Sequence, residues 1–395
     1  MIDKTFKEAK EDCLLTSFDM LRFPLILAVI FIHNFPEGDS FVVSQINWHR
    51  LSIIDMINCV GVLFSHIIFH IAVPTFFLIS GYLFFYRLDG KFTISVYWTK
   101  MKRRGKSLLI PYIYWNFIAL FLIVLMKLLG CWVHGNPIHG VYDYLQMSRI
   151  LHYFWDSASW SLNKVNAMGI PCPMTAPIDV PLWYLRNLMV VCMFTPFIYL
   201  TIKKMRKIGL AILLVLYICN VDMPISGFSI QAFSMFAIGA YMSICRINLI
   251  SYFWQWKKYW SLCLVVIIYY LFLTDGEKTF LHSFFYASFT ILGTLLLIGF
   301  VKILSDKNPR NQGMNFGGGK LLLKSSFFVY ASHTLGILDM CRLFIERIFG
   351  FNQIIQSIML YFLSPILCSA ICISLYLILQ RYSKKSLHAL TGARC

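Results

Sequence analysis

Charged side chains are scarce in this chain, which excludes an ordinary soluble domain. They make up 13% of the 395 residues, where a soluble domain has about 25%. Hydrophobic residues reach 58%, and apolar runs of membrane-spanning length recur from one end to the other. The composition therefore predicts an all-α, polytopic integral membrane bundle surrounded by a lipid bilayer.

Acidic residues are scarcer still, yet the resulting positive charge does not indicate a nucleic-acid partner. The chain has 18 acidic and 35 basic residues, a formal net charge of +17. The basic residues lie mainly in short segments between the apolar runs, which is the pattern that orients helices in a membrane. We therefore expect this charge to reflect topology, and expect no nucleic acid to bind.

Ten apolar runs predict ten membrane-spanning helices with both termini in the cytoplasm. With that topology, 26 of the 35 lysines and arginines lie in inner segments and five in outer ones, as the positive-inside rule requires. Residues 1–395 form a single transmembrane domain with one long outer segment, residues 130–180. The predicted spans cover residues 18–35, 64–86, 107–129, 181–201, 207–221, 228–245, 258–274, 282–302, 324–344 and 354–380.

Metal-binding and redox motifs are missing from the sequence. The twelve cysteines contain no CxxC pair and no Cys/His cluster at zinc spacing. His66 and His70 are four residues apart on one helix face, but no third ligand stands at a telling spacing. We expect no metal and no permanently bound cofactor. Cys131 and Cys172 share the outer segment, and a disulfide between them is left open.

Ionisable residues in the first apolar run form the clearest pattern. Asp19 and Arg22 are three residues apart and can pair on one helix face. Arg22 and His33 are eleven apart, which leaves about 20° of residual turn and about 16 Å of axial distance. One helix face thus carries a cation toward the inner side and a titratable base toward the outer side. Such groups favour a functional site; the alternative is a structural pair that holds helices together.

Polar and small residues mark further segments. Ser80 and Gly81, in the second span, allow the close approach of a helix or a narrow ligand. The basic run that ends at Lys106 lies at the predicted cytoplasmic mouth, where it serves membrane topology, phosphate binding or both. Arg186 lies in the fourth predicted span and His333 in the ninth.

Five segments in this order resemble the motifs of the acyltransferase-3 family of membrane acyltransferases. The spacing of Asp19, Arg22 and His33 resembles the family's first-helix motif, and ten spans is the family's count. Tyr184 stands where the family often has Phe. The other four segments are FFLISG (76–81), RRGKSLLIPY (103–112), PLWYL (181–185) and SSFFVYASH (325–333).

The resemblance implies a multi-pass enzyme of the bacterial inner membrane, of the stand-alone, O-acetyltransferase-like type. Such an enzyme would move an acyl group, most simply acetyl, from cytoplasmic acyl-CoA to a hydroxyl of a cell-surface glycan or its lipid-linked precursor. The main alternative is a polytopic transporter or flippase without acyl-transfer chemistry. A non-catalytic assembly partner for glycan export is a third. The oligomeric state is left open.

The same resemblance gives the candidate residues their roles. His33 is expected to be catalytic, either as a general base or as a transient acyl carrier. Asp19 and Arg22 are expected to bind the donor or to support its site. The donor phosphates are expected to lie against Lys102, Arg103 and Arg104. The candidates for lining the pocket are Phe76, Phe77, Ser80, Gly81, Trp183, Arg186, Tyr330 and His333.

Overall fold

The protein is built almost entirely from helices, which confirms the predicted all-α class. Its structure is a computed structural model. It describes residues 2–35, 43, 46–88, 92–135, 141, 145–160, 166, 168–277, 279–307 and 317–392.

Six helical stretches of the described chain are long and apolar enough to cross a membrane, so the protein is polytopic. Two further helix pairs are bent, by 58° and 105°, and the count rises to eight if each pair is one span. The six stretches are Leu14–Asn34, Ile53–Phe85, Ile94–Val133, Phe280–Ser305, Gly319–Phe349 and Gln353–Tyr382. The bent pairs are Val180–Met193 with Thr195–Met205, and Ile230–Cys245 with Leu249–Gln255.

The other two predicted spans form shorter helices. Residues 207–221 contain the 12-residue helix Lys207–Ile218, and residues 258–274 correspond to the 17-residue helix Lys257–Leu273. At 1.5 Å per residue these helices are about 18 and 26 Å long, shorter than the hydrocarbon core of about 30 Å. The count of ten spans therefore stays a prediction.

Within the described part of the chain, π or 3-10 turns join several neighbouring helices. In chain order the helices and strands are α1 (Ile2–Asn34), α2 (Ile53–Gly61), α3 (Ala72–Phe85), α4 (Ile94–Arg104), α5 (Ile110–His134), α6 (Met147–Tyr153), β1 (Ala158–Trp160), β2 (Met174–Ala176), α7 (Trp183–Met193), α8 (Thr195–Met205), α9 (Lys207–Ile218), α10 (Ile230–Cys245), α11 (Leu249–Gln255), α12 (Lys257–Leu273), α13 (Phe280–Lys307), α14 (Gly317–Ser332), α15 (Leu338–Phe349), α16 (Gln353–Tyr382) and α17 (Lys384–Thr391).

The long outer segment contains a small β-ribbon that the all-α prediction did not include. Strands β1 and β2 pair antiparallel, with Ala158 opposite Ala176 and Ser159 opposite Thr175. Each strand has only three residues, and an isolated ribbon of that size is not stable in water. Contacts to the helices below must therefore hold it in place.

The disulfide left open between Cys131 and Cys172 does not form in this structure. The Cys172 thiol instead donates to the carbonyl oxygen of Asp222 at 3.6 Å. This contact joins the outer segment to the loop that precedes α10, without a covalent bond.

Helices α3 and α10 cross with their backbones in direct contact. A Cβ atom on Gly81 would lie 2.0 Å from the carbonyl oxygen of Phe236, and one on Gly239 would lie 2.0 Å from that of Leu78. No side chain fits at either position, so each helix needs its glycine at this crossing. The crossing fixes α3, which carries the FFLISG segment, at the centre of the bundle.

Candidate active site

Helix α1 carries all three ionisable residues of the first apolar run: Asp19, Arg22 and His33. Asp19 and Arg22 form the predicted ion pair, with Oδ1 and Nη2 3.1 Å apart. The Arg22 side chain stays 37% exposed, so its remaining N–H groups are open to a ligand. His33 lies eleven residues further along, in the last turn of the same helix.

The imidazole of His33 lies against that of His333, from the opposite end of the chain. Their ring centroids are 5.2 Å apart and the ring planes are inclined by 52°. The Nδ1 atom of His333 lies 2.7 Å from the carbonyl oxygen of Tyr330. Because a carbonyl oxygen only accepts, Nδ1 carries the hydrogen, and Nε2 of the neutral ring is an acceptor. That Nε2 atom is buried and has no hydrogen-bond partner in the described structure.

A break between α14 and α15 places His333 at this point. Gly336 has a φ of +84°, and Leu335 has a ψ of 38°. Glycine adopts this left-handed conformation at little cost, whereas other residues are strained by it. At the break, the carbonyl oxygen of His333 accepts from the backbone N–H of Leu338, and the thiol of Cys368 in α16 also donates to it at 3.8 Å.

A row of contacts leads from His333 to the basic segment. The ring of Tyr330 lies 6.4 Å from that of His333 and 6.2 Å from that of Tyr184. The hydroxyls of Tyr184 and Ser80 are 3.2 Å apart. Arg104 Nη2 then donates to the backbone oxygen of Ser80 at 3.5 Å. The structure therefore brings the predicted residues His333, Tyr330, Ser80 and Arg104 onto one row, which we call the contact row.

Phe76 and Phe77 form an apolar wall beside this contact row. Their rings lie 5.9 and 4.7 Å from the ring of Tyr184. Phe77 is fully buried and Phe76 is half-buried. Both predicted residues thus line the space between α3 and α7.

The basic run divides into half-buried and exposed members. Lys100 donates to the carbonyl oxygen of Phe84 at 2.6 Å, and the guanidinium of Arg104 lies 5.8 Å from the centroid of the Phe84 ring. Lys102 and Arg103 are exposed. The exposed pair is therefore accessible to a phosphate, while Lys100 and Arg104 hold α4 against α3.

Two predicted pocket residues contact other parts of the bundle. Gly81 faces the backbone of α10, as described above. Trp183 is half-buried and packs against the main apolar core at the start of α7. Both support the contact row through packing.

Arg186 fastens the outer segment to α7. It is 2% exposed. Its Nη1 donates to the carbonyl oxygen of Trp155 at 2.5 Å and to Thr175 Oγ1 at 3.1 Å. Its Nη2 donates to the carbonyl oxygen of Thr175 at 2.8 Å, and its Nε donates to Asn187 Oδ1 at 3.1 Å. These bonds supply the support that the short β-ribbon needs.

The Arg186→Lys variant is expected to loosen the outer segment. An ammonium group cannot reproduce the planar fork of a guanidinium, and each buried partner left unpaired costs about 1–3 kcal/mol. Limited proteolysis within residues 145–180 should become at least about tenfold faster. Arg149→Lys, at an exposed position of the same segment, is the matched control. Equal cleavage rates for both variants would show that other contacts hold the segment.

His66 and His70 lie in the π and 3-10 turns that precede α3, and each contacts a different residue. His66 Nδ1 lies 3.0 Å from Asp275 Oδ2, and His70 Nδ1 lies 2.5 Å from the hydroxyl of Tyr286. Within the described residues, no group of three His, Cys, Asp or Glu side chains is arranged to hold a metal ion. The contacts of His66 and His70 join this region to α13 and to the loop that precedes it.

The sequence that contains these segments matches a known protein family. A family model described as an acyltransferase domain matches residues 15–379. The chain belongs to this acyltransferase family. The resemblance carried by the five motifs is thereby confirmed.

One relative of this chain is the succinoglycan biosynthesis protein ExoH of Rhizobium meliloti (strain 1021). The two are 23% identical over 198 residues, which is 50% of this chain and 45% of ExoH. The match therefore spans about half of each protein. No solved structure matches the chain.

Tyr184 is where this chain departs from the pattern that its family often shows. A phenylalanine there would keep the ring contacts to Phe77 and Tyr330 but would lack the hydroxyl. In this chain that hydroxyl bonds to Ser80 Oγ at 3.2 Å. The departure therefore adds a polar link in the middle of the contact row.

Asp179 is a site residue that the sequence did not reveal. It is 1% exposed, and burial raises the pKa of its carboxyl well above the ordinary value. Its backbone N–H donates to Asn116 Oδ1 at 3.2 Å, and its Oδ1 accepts from the hydroxyl of Thr334 at 3.3 Å. Its Oδ2 is buried without a hydrogen-bond partner in the described structure. The one signal in the sequence was an acidic residue just before the PLWYL segment.

Proposed function

We propose that this acyltransferase moves an acyl group, most simply acetyl, from cytoplasmic acyl-CoA to a hydroxyl of a cell-surface glycan or its lipid-linked precursor. The observation that carries the proposal is the contact between His33 and His333, which sets two imidazoles against each other inside an apolar bundle. Family membership supports acyl transfer. The name of the succinoglycan relative supports a polysaccharide acceptor. We place the enzyme in the inner membrane of a bacterium.

The donor enters, in this proposal, from the side where lysines and arginines concentrate. Acyl-CoA has its phosphates at one end and its thioester at the other end of a long, narrow arm. Arg22, Lys102 and Arg103 are accessible and offer charge-assisted hydrogen bonds to phosphate. The arm would follow the contact row, and the distance of about 16 Å between Arg22 and His33 along α1 suits its length.

At the other end of the arm, His33 acts as a general base in this proposal. The acceptor hydroxyl oxygen attacks the thioester carbonyl carbon as His33 takes the hydroxyl proton. A new C–O bond forms and the C–S bond breaks. The proton then passes from His33 to the departing sulfur, so that CoA leaves as a thiol and the imidazole is neutral again. No other reactant is consumed.

Acyl transfer from isotopically labelled acetyl-CoA in membranes tests this proposal. Membranes that contain the protein should release CoA and esterify the surface glycan, and mass analysis should show one ester-sized increment on one sugar. Membranes without the protein provide the control. A protein that moves glycan across vesicles without consuming acetyl-CoA would be a transporter, and the proposal would be wrong.

The Arg22→Ala variant is expected to weaken use of the donor. Loss of one charge-assisted hydrogen bond to phosphate should raise the KM for acetyl-CoA by about tenfold or more, with a smaller change in kcat. Steady-state kinetics on purified enzyme measures both. Lys385→Ala removes an exposed cation on the same predicted side and should leave KM unchanged. An unaltered KM in Arg22→Ala would assign the Asp19–Arg22 pair a structural role.

A further inference from the structure

The turn before α7 docks onto the helix break that carries His333. The hydroxyl of Tyr330 donates to the carbonyl oxygen of Pro181. The hydroxyl of Thr334 donates to Asp179 Oδ1 at 3.3 Å. Two independent bonds thus hold the Asp179 carboxyl beside the residue that follows His333.

Two polar atoms at this junction lack a partner. Asp179 Oδ2 and His333 Nε2 are both buried and make no hydrogen bond in the described structure. Their residues are 1% and 0% exposed. Buried polar groups in native proteins are nearly always hydrogen-bonded. Two unpartnered polar atoms at one junction, next to His33, therefore indicate a place that a hydrogen-bonding ligand fills.

We propose that Asp179 and His333 form the acceptor subsite of this enzyme and bind two hydroxyl groups of one polyhydroxylated ring. The inference rests on the proposed function and specifies its acceptor class. The hydroxyl bound by His333 Nε2 lies next to His33 and is the one acylated. The neighbouring hydroxyl bonds to Asp179 Oδ2, so Asp179 selects which hydroxyl of the ring reaches His33.

The chemistry of the two groups decides which ligand fits. Burial raises the pKa of the Asp179 carboxyl, so the group is neutral: Oδ1 accepts from Thr334, and Oδ2 can both donate and accept, whereas His333 Nε2 only accepts. A hydroxyl group also donates and accepts and so suits both atoms, whereas a phosphate dianion has no hydrogen to donate to Nε2. An alcohol with a single hydroxyl would satisfy one atom and leave the other buried and unpaired. A sugar ring with adjacent hydroxyls satisfies both. The phosphate-binding cations lie at the other end of the contact row, so donor and acceptor occupy separate ends.

The Asp179→Asn variant of the full-length protein tests this subsite. It keeps the size of the side chain and an oxygen for Thr334, but replaces the Oδ2 hydroxyl, which donates and accepts, by an NH2 group that only donates. With oligosaccharides released from the surface glycan of the producing cells as the probe, the acceptor KM should rise by about ten- to a hundredfold. The KM for acetyl-CoA should not change. The ester should appear on more than one hydroxyl of the sugar, an outcome that loss of stability alone does not produce.

Two further variants complete the test. Thr334→Val removes the hydroxyl that orients Asp179 and should raise the acceptor KM in the same direction by a smaller factor. Asp222→Asn alters an outer carboxylate that accepts from the backbone N–H of Ile230 at 3.0 Å and should change neither KM nor the position of the ester. If Asp179→Asn fails to fold, the acceptor KM of Thr334→Val alone tests the subsite.

Binding of the same oligosaccharides without acetyl-CoA separates this inference from the proposed function. The wild-type protein should bind them, and Asp179→Asn should weaken the Kd by the same ten- to hundredfold factor. Unchanged Kd, KM and ester position in the folded variants would overturn the subsite, as would a wild-type protein that binds no oligosaccharide. Binding that depends on Asp179 without any release of CoA would support the subsite and contradict acyl transfer.

Discussion

Replacing His33 by alanine is expected to lower acyl transfer by about a hundred- to ten-thousandfold at saturating donor and acceptor, the range of a positioned general base. Alanine cannot take the hydroxyl proton, while the binding groups around it stay in place. The rate of label transfer from acetyl-CoA to glycan, in membranes with equal amounts of folded protein, measures the loss. His388→Ala removes an exposed histidine of α17 and should retain the wild-type rate.

The same reaction separates the two roles that His33 can have. As a general base, it never carries the acyl group, so acid quenching should trap no acyl-enzyme. As a transient carrier, it would hold the acetyl group on imidazole when the acceptor is left out. Detection of the labelled acetyl group on His33 would therefore show that this residue is a transient acyl carrier and not a general base. Near wild-type activity in His33→Ala would contradict both.

The Gly81→Ala variant is expected to lose the folded state, with a destabilisation of about 3 kcal/mol or more. The new Cβ would meet a backbone oxygen at 2.0 Å, and a backbone atom cannot move aside as a flexible side chain can. Helices α3 and α10 would have to separate, and overpacking of this kind typically costs about 1–3 kcal/mol even where side chains adjust. Thermal unfolding of the detergent-solubilised protein measures the change.

Gly130→Ala is the matched control for this prediction. Gly130 also lies within a helix, α5, but a Cβ there meets nothing within 4 Å. Alanine should stabilise that helix by about 0.5–1 kcal/mol. Opposite shifts in the two variants would establish that the α3–α10 contact requires glycine. A Gly81→Ala protein as stable as the wild type would mean that the two helices are not in backbone contact.

Helical spacing predicted the features that lie within one element. The Asp19–Arg22 pair follows from two residues three apart on α1, and the structure shows it at 3.1 Å. The motif segments also fall on α1, α3, α4, α7 and α14, as their apolar context indicated. These relations are local, so the sequence contains them directly.

Features that depend on distant parts of the chain could not be predicted from spacing. The contact of His33 with His333 joins opposite ends of the chain, beside a break at the left-handed Gly336 that shows only in the structure. Arg186 looked like a pocket residue because it lies in an apolar span, but its partners come from an irregular outer segment. Asp179 lies in a proline-rich turn without any periodicity, so nothing marked its carboxyl as buried.

The most direct measurement compares CoA released with ester formed, in sealed inverted vesicles that expose the predicted cytoplasmic face to labelled acetyl-CoA. We predict one CoA released for each ester on the glycan, with both products lost in His33→Ala and retained in His388→Ala. Glycan transport across the vesicle membrane without release of CoA, or equal ester formation in the two histidine variants, would contradict acyl transfer at His33.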